Sequence, residues 1–177
     1  MKVLIIAFFS ITTIHFGHAQ GKKDSENRLT PKELVDRVEI IDLINNYSRY
    51  ADRRDPQAQA SLFTEDAVIE IYHREPDNNK PDTVLSGRKE FIHGFETLRN
   101  YDVTMHFNGQ STIHLNGAHA TGETYCLAHH IWVEKGQRML MVMGIRYYDN
   151  FVYQNNRWLF ASRKLVFDWV DKRPSSP

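Results

Sequence analysis

The chain is poor in cysteine. Cys126 is the single one among 177 residues, so no internal disulfide is available and folding must rest on an apolar core. Cys126 lies in an apolar strand pattern and reads as a buried small side chain, not a nucleophile. An excess of either charge is lacking as well: 22 basic residues face 22 acidic ones. That balance favours neither nucleic acid nor an anionic membrane surface. Metal-ligand spacings are missing, with no cysteine pair, no H-x-x-x-H and no H-x-H. The adjacent His129 and His130 would face opposite sides of a strand and make no metal site. There is no G-x-S-x-G elbow, no P-loop and no dinucleotide fingerprint after a strand. The expectation is no metal and no organic cofactor.

Long apolar runs are confined to the N-terminus. Lys2 precedes an apolar stretch from Val3 to about Ile14, and Gly17 and Ala19 follow as small residues. This reads as a signal peptide over 1–19, cleaved after Ala19. It is short for a membrane span and is interrupted by Ser10, Thr12, Thr13 and His15. The alternative is an uncleaved anchor. Export to the periplasm or medium is expected, with no membrane attachment after cleavage. Residues 20–32 are polar and aperiodic, a flexible leader. Residues 33–171 suit one domain, being long enough for one sizeable core. Residues 172–177 read as a disordered tail.

What is present is ordered helices first, strands after. Thr30, Pro31 and Glu33 open a helix with a capping box. Leu34, Val38, Ile41, Ile44, Ser48 and Ala51 recur at helical spacing and predict its buried face. Pro56 starts a second short helix. "DAVIEIYH" alternates as a strand, and "GRKEFIHGFETLRN" is a third helix with Phe91, Phe95 and Leu98 on one face. Four long strands follow, at about 102–115, 118–134, 137–153 and 156–170, separated by the turns "NGAH", "EKGQ" and "QNNR". That order predicts an α+β fold: three N-terminal helices packed in a strongly curved, mainly antiparallel sheet forming a cone-shaped barrel. Strands this long must bend, at bulges. The open end of a cone is a natural small-molecule pocket.

Several polar residues break the apolar pattern. Asp52 falls on the edge of the apolar arc of the first helix, near its C-terminus, where the helix dipole disfavours a carboxylate. It either reaches water or sits at the pocket mouth. Tyr47 flanks the same arc. His106 alternates with Val103, Met105 and Phe107, so parity alone makes it an exposed histidine. Arg163 shares the parity of Leu159, Ala161, Leu165, Phe167 and Trp169, and an arginine on an apolar face needs a ligand or a partner. A buried ion pair, with Asp52 as one candidate partner, is the structural alternative. Arg146 interrupts "MLMVMGIRYY" and favours a structural pair, with substrate contact as the other role. His130 shares parity with Cys126 and Ala128; His129 shares it with Tyr125 and Leu127.

Together "IIDLINNYSRYADRRD", "LFTEDAVIE", "TYCLAHH" and "GIRYYDNFVYQNNRWLFASRKLVFDW" resemble a SnoaL-like protein of the nuclear transport factor 2-like superfamily, over about 35–170. The resemblance implies the cone-shaped α+β fold and assembly as a homodimer or homotrimer through the sheet. It is similar at the pocket to scytalone dehydratase, hexachlorocyclohexane dehydrochlorinase and a bile-acid dehydratase, all of which carry out cofactor-free eliminations. By that resemblance Asp52 and His106 form a dyad, and Tyr47, His130 and Arg163 complete the catalytic set. Two positions depart from it: Ala51 stands where scytalone dehydratase has tyrosine, and Tyr47 where the dehydrochlorinase has lysine.

The resulting expectation is an exported, cofactor-independent lyase or isomerase. His106 is general base and Asp52 orients it. Tyr47 and His130 donate protons, and Arg163 binds an anionic or departing group. Tyr50, Phe63, Tyr125, Arg146 and Trp169 are expected to bind a small hydrophobic or cyclic substrate. The alternatives are a non-catalytic small-molecule-binding module of the same fold and the small subunit of a ring-hydroxylating dioxygenase.

Overall fold

Thr30 accepts the backbone N–H of Glu33 at 3.3 Å, and Glu33 Oε2 accepts the N–H of Thr30 at 2.7 Å. This capping box starts helix α1, Pro31–Arg53. The structure, a computed structural model, describes residues 29–73 and 80–175. The expected signal peptide and most of the expected leader lie outside the described residues. Helix α2, Pro56–Ser61, is capped by Asp55, whose side chain accepts from the Ala58 N–H. Strand β1, Phe63–His73, and strand β2, Thr83–Ser86, come next, then helix α3, Gly87–Glu96, and a single 3₁₀ turn, Thr97–Asn100. Four long strands complete the chain: β3 Val103–Asn116, β4 His119–Glu134, β5 Gln137–Gln154 and β6 Arg157–Pro174.

The buried stripe of α1 is rotated from the one the spacing predicts. Leu34 is 52% exposed and Val38 61%, while Ile40, Leu43, Ile44, Tyr47, Ser48 and Ala51 are buried. The cause is Asp36. Trp158 Nε1 donates to its carboxylate at 3.2 Å and Lys32 Nζ donates at 2.6 Å. A carboxylate with those partners is tolerated inside, and anchoring it there turns Leu34 and Val38 outward.

The strands form one sheet in the order β2-β1-β6-β5-β4-β3. Neighbours are antiparallel except β1 and β6, which run parallel from Phe63↔Phe160 to His73↔Phe167. This pairing joins the first strand to the last. Register shifts leave extra residues in β3 between Asn108 and Ser111, and in β6 at Ala161 and Asp168, opposite the consecutive β5 pairs Asn150–Phe151 and Gly144–Ile145. Such irregularities bend long strands, and the sheet curls around the helices without closing. The expected barrel is therefore an open cone, with β2 and β3 as its edges. Strand β6 runs on to Pro174, paired to Met139. Residues 172–174 thus belong to the sheet and not to a disordered tail.

The core lies between the inner face and the helices. Phe63 stacks on Phe160 at 4.8 Å between ring centroids and tilts against Phe91 at 4.9 Å. Cys126 is buried here, and burial pushes its thiol up to about 11. It is an unreactive thiol, as the strand pattern implied.

Candidate active site

Helix α1 delivers Asp52 as its penultimate residue. Arg54 then terminates the helix in the left-handed region, at φ 55°. The Arg54 side chain donates to the carbonyls of Asp52 and Tyr101, each at 2.9 Å. This ties the helix end to the start of β3. Further up, Ser48 Oγ donates to Asn108 Oδ1 at 3.1 Å. The pairs Ser48/Asp52 and His106/Asn108 have the i,i+4 and i,i+2 spacings of one helix face and one strand face. That matched spacing was a legible signal, and the sequence reading did not use it.

Between these tethers Asp52 binds His106 twice. Oδ2 accepts the backbone N–H at 2.9 Å, and Oδ1 lies 2.7 Å from ring Nδ1. Burial pulls the Asp52 carboxyl upward, but the hydrogen bonds and charge of His106 bring it below its ordinary value. An ionised carboxylate only accepts, so Nδ1 carries the proton. Nε2 is then the basic atom of the ring. The His106 side chain is only 8% exposed, which reverses the reading from strand parity. Val103, Met105 and Phe107 point outward, 47%, 52% and 65% exposed. The apolar parity of β3 is its outer face.

His106 lines a cavity of about 570 Å³ between sheet and helices. Its walls are largely aliphatic, including Ile69, Ile71, Leu85, Met143, Ile145 and Leu165. Tyr47, Tyr101, His130 and Tyr147 add aromatic and polar surface. Asp52 does not line this cavity. It borders a separate surface groove of about 440 Å³ that His106 also reaches, with Arg49, Arg53 and Asn108. Asp52 thus stands behind His106.

His130, not His129, turns inward. Its ring centroid is 5.5 Å from that of His106 and 4.3 Å from that of Tyr101. Both its ring nitrogens are sealed from solvent without a hydrogen-bond partner. Burial, and then the charge of His106, lower its pKa to about 4. At neutral pH it is an uncharged imidazole. Tyr101, which packs on it, was absent from the sequence reading.

Tyr47 lines the cavity and is otherwise enclosed by rings: Phe63, Phe95, Tyr147 and Phe160 each lie edge-on within 6.0 Å. Burial raises its hydroxyl pKa, so it stays protonated. Arg163 is 1% exposed and does not line the cavity. Its buried partner is Asp149, not Asp52, with paired contacts of 2.7 and 2.8 Å. The guanidinium carbon lies 4.1 Å from the Tyr47 ring centroid, 4.0 Å from Tyr147 and 4.4 Å from Phe160. The structural alternative for Arg163 was the sound one, with a different carboxylate.

The five expected substrate contacts fall elsewhere. Phe63 is core and Tyr50 is a half-buried residue of α1; neither lines the cavity. Tyr125, Arg146 and Trp169 sit on the outer face of the sheet. Arg146 pairs with Asp168 at 2.7 and 2.9 Å, its guanidinium 5.8 Å from the Tyr125 ring. Trp169 is displaced by a bulge: Ile145 faces Phe167 while Gly144 faces Trp169, leaving Asp168 as the extra residue. The parity that runs from Arg163 through Leu165 and Phe167 reverses there, as that of Leu159 already has at Ala161. Any side chain at position 144 would collide with the Trp169 indole, so Gly144 is what lets Trp169 lie flat against β5.

Among the described residues no three of His, Cys, Asp or Glu converge to hold a metal ion. What the arrangement offers is an oriented imidazole base, a neutral imidazole beside it, and an apolar chamber of small-molecule size.

The comparisons with known proteins fit this architecture. A family model described as a SnoaL-like domain matches residues 32–164. No curated protein matches the chain. A supposed scytalone dehydratase from Novosphingobium aromaticivorans is similar in structure, with TM-score 0.70 and 23% identity, over 84% of this chain and 97% of that one. A nuclear transport factor 2-like protein with a cystatin-like fold, from the same organism, gives TM-score 0.64 at 22% identity, over 77% and 84%. A type 2 hexachlorocyclohexane dehydrochlorinase gives TM-score 0.64 at 18% identity, over 81% and 90%.

Proposed function

The chain belongs to the SnoaL-like domain family, and we propose that it is a cofactor-independent lyase or isomerase acting by dehydratase-like elimination on a small, largely apolar cyclic substrate. One observation carries this reading. Asp52 binds both the ring and the backbone nitrogen of a histidine that lines an apolar cavity.

Asp52 fixes the tautomer and stabilises the imidazolium that forms. His106 Nε2 takes a proton from a carbon beside an electron-withdrawing group. The C–H electron pair becomes the new π bond and the C–O bond on the neighbouring carbon breaks. The departing hydroxide leaves as water after taking a proton from the imidazolium, or from Tyr47, to which the imidazolium proton then returns. His130, neutral and without a partner, donates to the developing oxyanion once Tyr101 moves off its ring. Arg163 acts through the Tyr47 and Tyr147 rings it stacks on rather than by touching substrate. Structural similarity to proteins described as a scytalone dehydratase and a hexachlorocyclohexane dehydrochlorinase supports the reaction class; the aliphatic walls support an apolar ring.

The test is a panel of cyclic β-hydroxy ketones. Wild-type protein should release the conjugated enone, read by its ultraviolet absorbance, and Asp52→Asn and His106→Asn should be slower by about a hundredfold or more. Solvent-deuterium uptake beside the carbonyl of α-tetralone checks the first step separately. Binding with neither enone nor deuterium uptake would make the protein a binding module.

Residues 1–19 are proposed to direct export and to be removed after Ala19, placing the protein in the periplasm or medium. An intact mass beginning at Gln20 tests this. Self-association as a homodimer or homotrimer is proposed through the outer face, where Val103, Met105, Phe107, Leu127 and Trp169 are exposed. A contiguous apolar surface of that kind is unusual on a monomer.

A further inference from the structure

The helical side of the cavity holds a buried amide that elimination chemistry does not use. Gln59, in α2, is 2% exposed and lines the cavity. Its side chain has no hydrogen-bond partner, yet neither amide atom is among the polar atoms sealed from solvent. The little surface it keeps therefore includes an amide that opens to the cavity. An unpaired buried amide lowers stability, so folding alone gives no reason for it.

A primary amide offers N–H donors and a carbonyl acceptor, so the ligand group it suits is a neutral oxygen. Helix α2 packs on α1, α3 and β1, while His106 rides on β3, an edge strand. The amide and the imidazole thus enter the cavity from different elements.

We propose that Gln59 forms a second polar subsite that binds a neutral oxygen of the ligand, a carbonyl or hydroxyl, apart from the group that His106 deprotonates. The substrate class is then a cyclic compound oxygenated at two separated positions. This rests on the cavity being the ligand site proposed above.

The probes are 6-hydroxy-α-tetralone and α-tetralone, which lacks the second oxygen, titrated into the full chain by NMR. The hydroxyketone should bind the wild type more tightly than α-tetralone and shift the side-chain amide signals of Gln59. Gln59→Met, close in length and apolar, should lose that preference by about tenfold while melting no lower than wild type. Gln59→Leu should lose the same preference and serves as the second variant. Equal affinity changes for the two ketones, or no binding of either to the wild type, would overturn the subsite. His106→Asn separates the two proposals: it should abolish deuterium uptake from α-tetralone and leave the preference for the hydroxyketone intact. Loss of deuterium uptake with a Gln59-independent preference leaves the dyad standing and the subsite refuted. A Gln59-dependent preference with no deuterium uptake in the wild type does the reverse.

Discussion

Arg54 donates to the carbonyl of Asp52, two residues before it, and through the same guanidinium to the carbonyl of Tyr101. One side chain thereby fixes the residue that orients His106 and the ring that covers His130. It does so from a left-handed backbone position, φ 55°, where glycine is the residue of choice. Arg54→Gly should relieve the backbone strain and leave stability within about 1 kcal/mol of wild type. Turnover should nevertheless fall about tenfold or more as the dyad loses its alignment. Unchanged turnover would reduce the latch to a helix stop.

The Asp52 carboxyl is held below its ordinary value in the folded protein. A depressed carboxyl contributes stability above its unfolded pKa of about 4 and loses it as pH falls toward the folded value. Asp52→Asn should therefore be less stable than wild type at pH 7, and the difference should shrink in acid. Urea unfolding of both proteins at pH 7 and pH 3 checks this. A difference that grows in acid would contradict it.

His130 has a linkage of the same sign, set higher on the pH scale. Its pKa lies near 4, lowered by burial and by His106, with Arg54 and His129 adding and Asp52 opposing. The unfolded chain therefore takes up the proton first, and stability falls as pH drops from about 6.5 toward 4. Replacing it with leucine should flatten the unfolding midpoint across that window. A midpoint that stays equally steep would move the responsible group elsewhere.

Arg163 and Asp149 are both enclosed, with side-chain exposures of 0%. Removing one partner strands the other charge, so Arg163→Met should cost about 3–5 kcal/mol. Pairing it with Asp149→Leu should recover a large part. The double-mutant cycle by denaturant unfolding measures this, and additive losses would mean the pair is not coupled.

Phe107→Glu combined with Trp169→Glu puts charge on the outer face without entering the cavity. If that face joins copies of the chain, the variant should sediment as a monomer with its fold intact by circular dichroism. Wild-type protein that is monomeric at working concentration would remove the need for an interface there.

The sequence carried the order and extent of the elements, because capping residues, prolines and two-residue turns act locally. The long strands were placed to within one or two residues at most ends. The side chains at the site were harder to assign, and each miss has a physical cause. His106 looked exposed because burial was inferred from apolarity, whereas the apolar residues of β3 face outward. Trp169 was assigned inward because a bulge at Asp168 reverses parity without altering composition. Leu34 and Val38 looked buried because Asp36 was counted as polar, and its partners Lys32 and Trp158 make it an interior residue. The partner of Arg163 lies on the neighbouring strand, and only register identifies Asp149. By contrast, Asp52 and His106 meet at 2.7 Å, a contact that the family resemblance carried and local pattern did not.

The parallel seam between β1 and β6 has a bearing on biosynthesis. Phe63 finds its strand partner at Phe160, so the helical half cannot close its wall until nearly the whole polypeptide has left the ribosome. Contacts of such separation in sequence slow folding. The nascent chain therefore stays open through most of translation, with Asp52 and His106 already made but not yet enclosed. The chamber forms only after the last strand arrives.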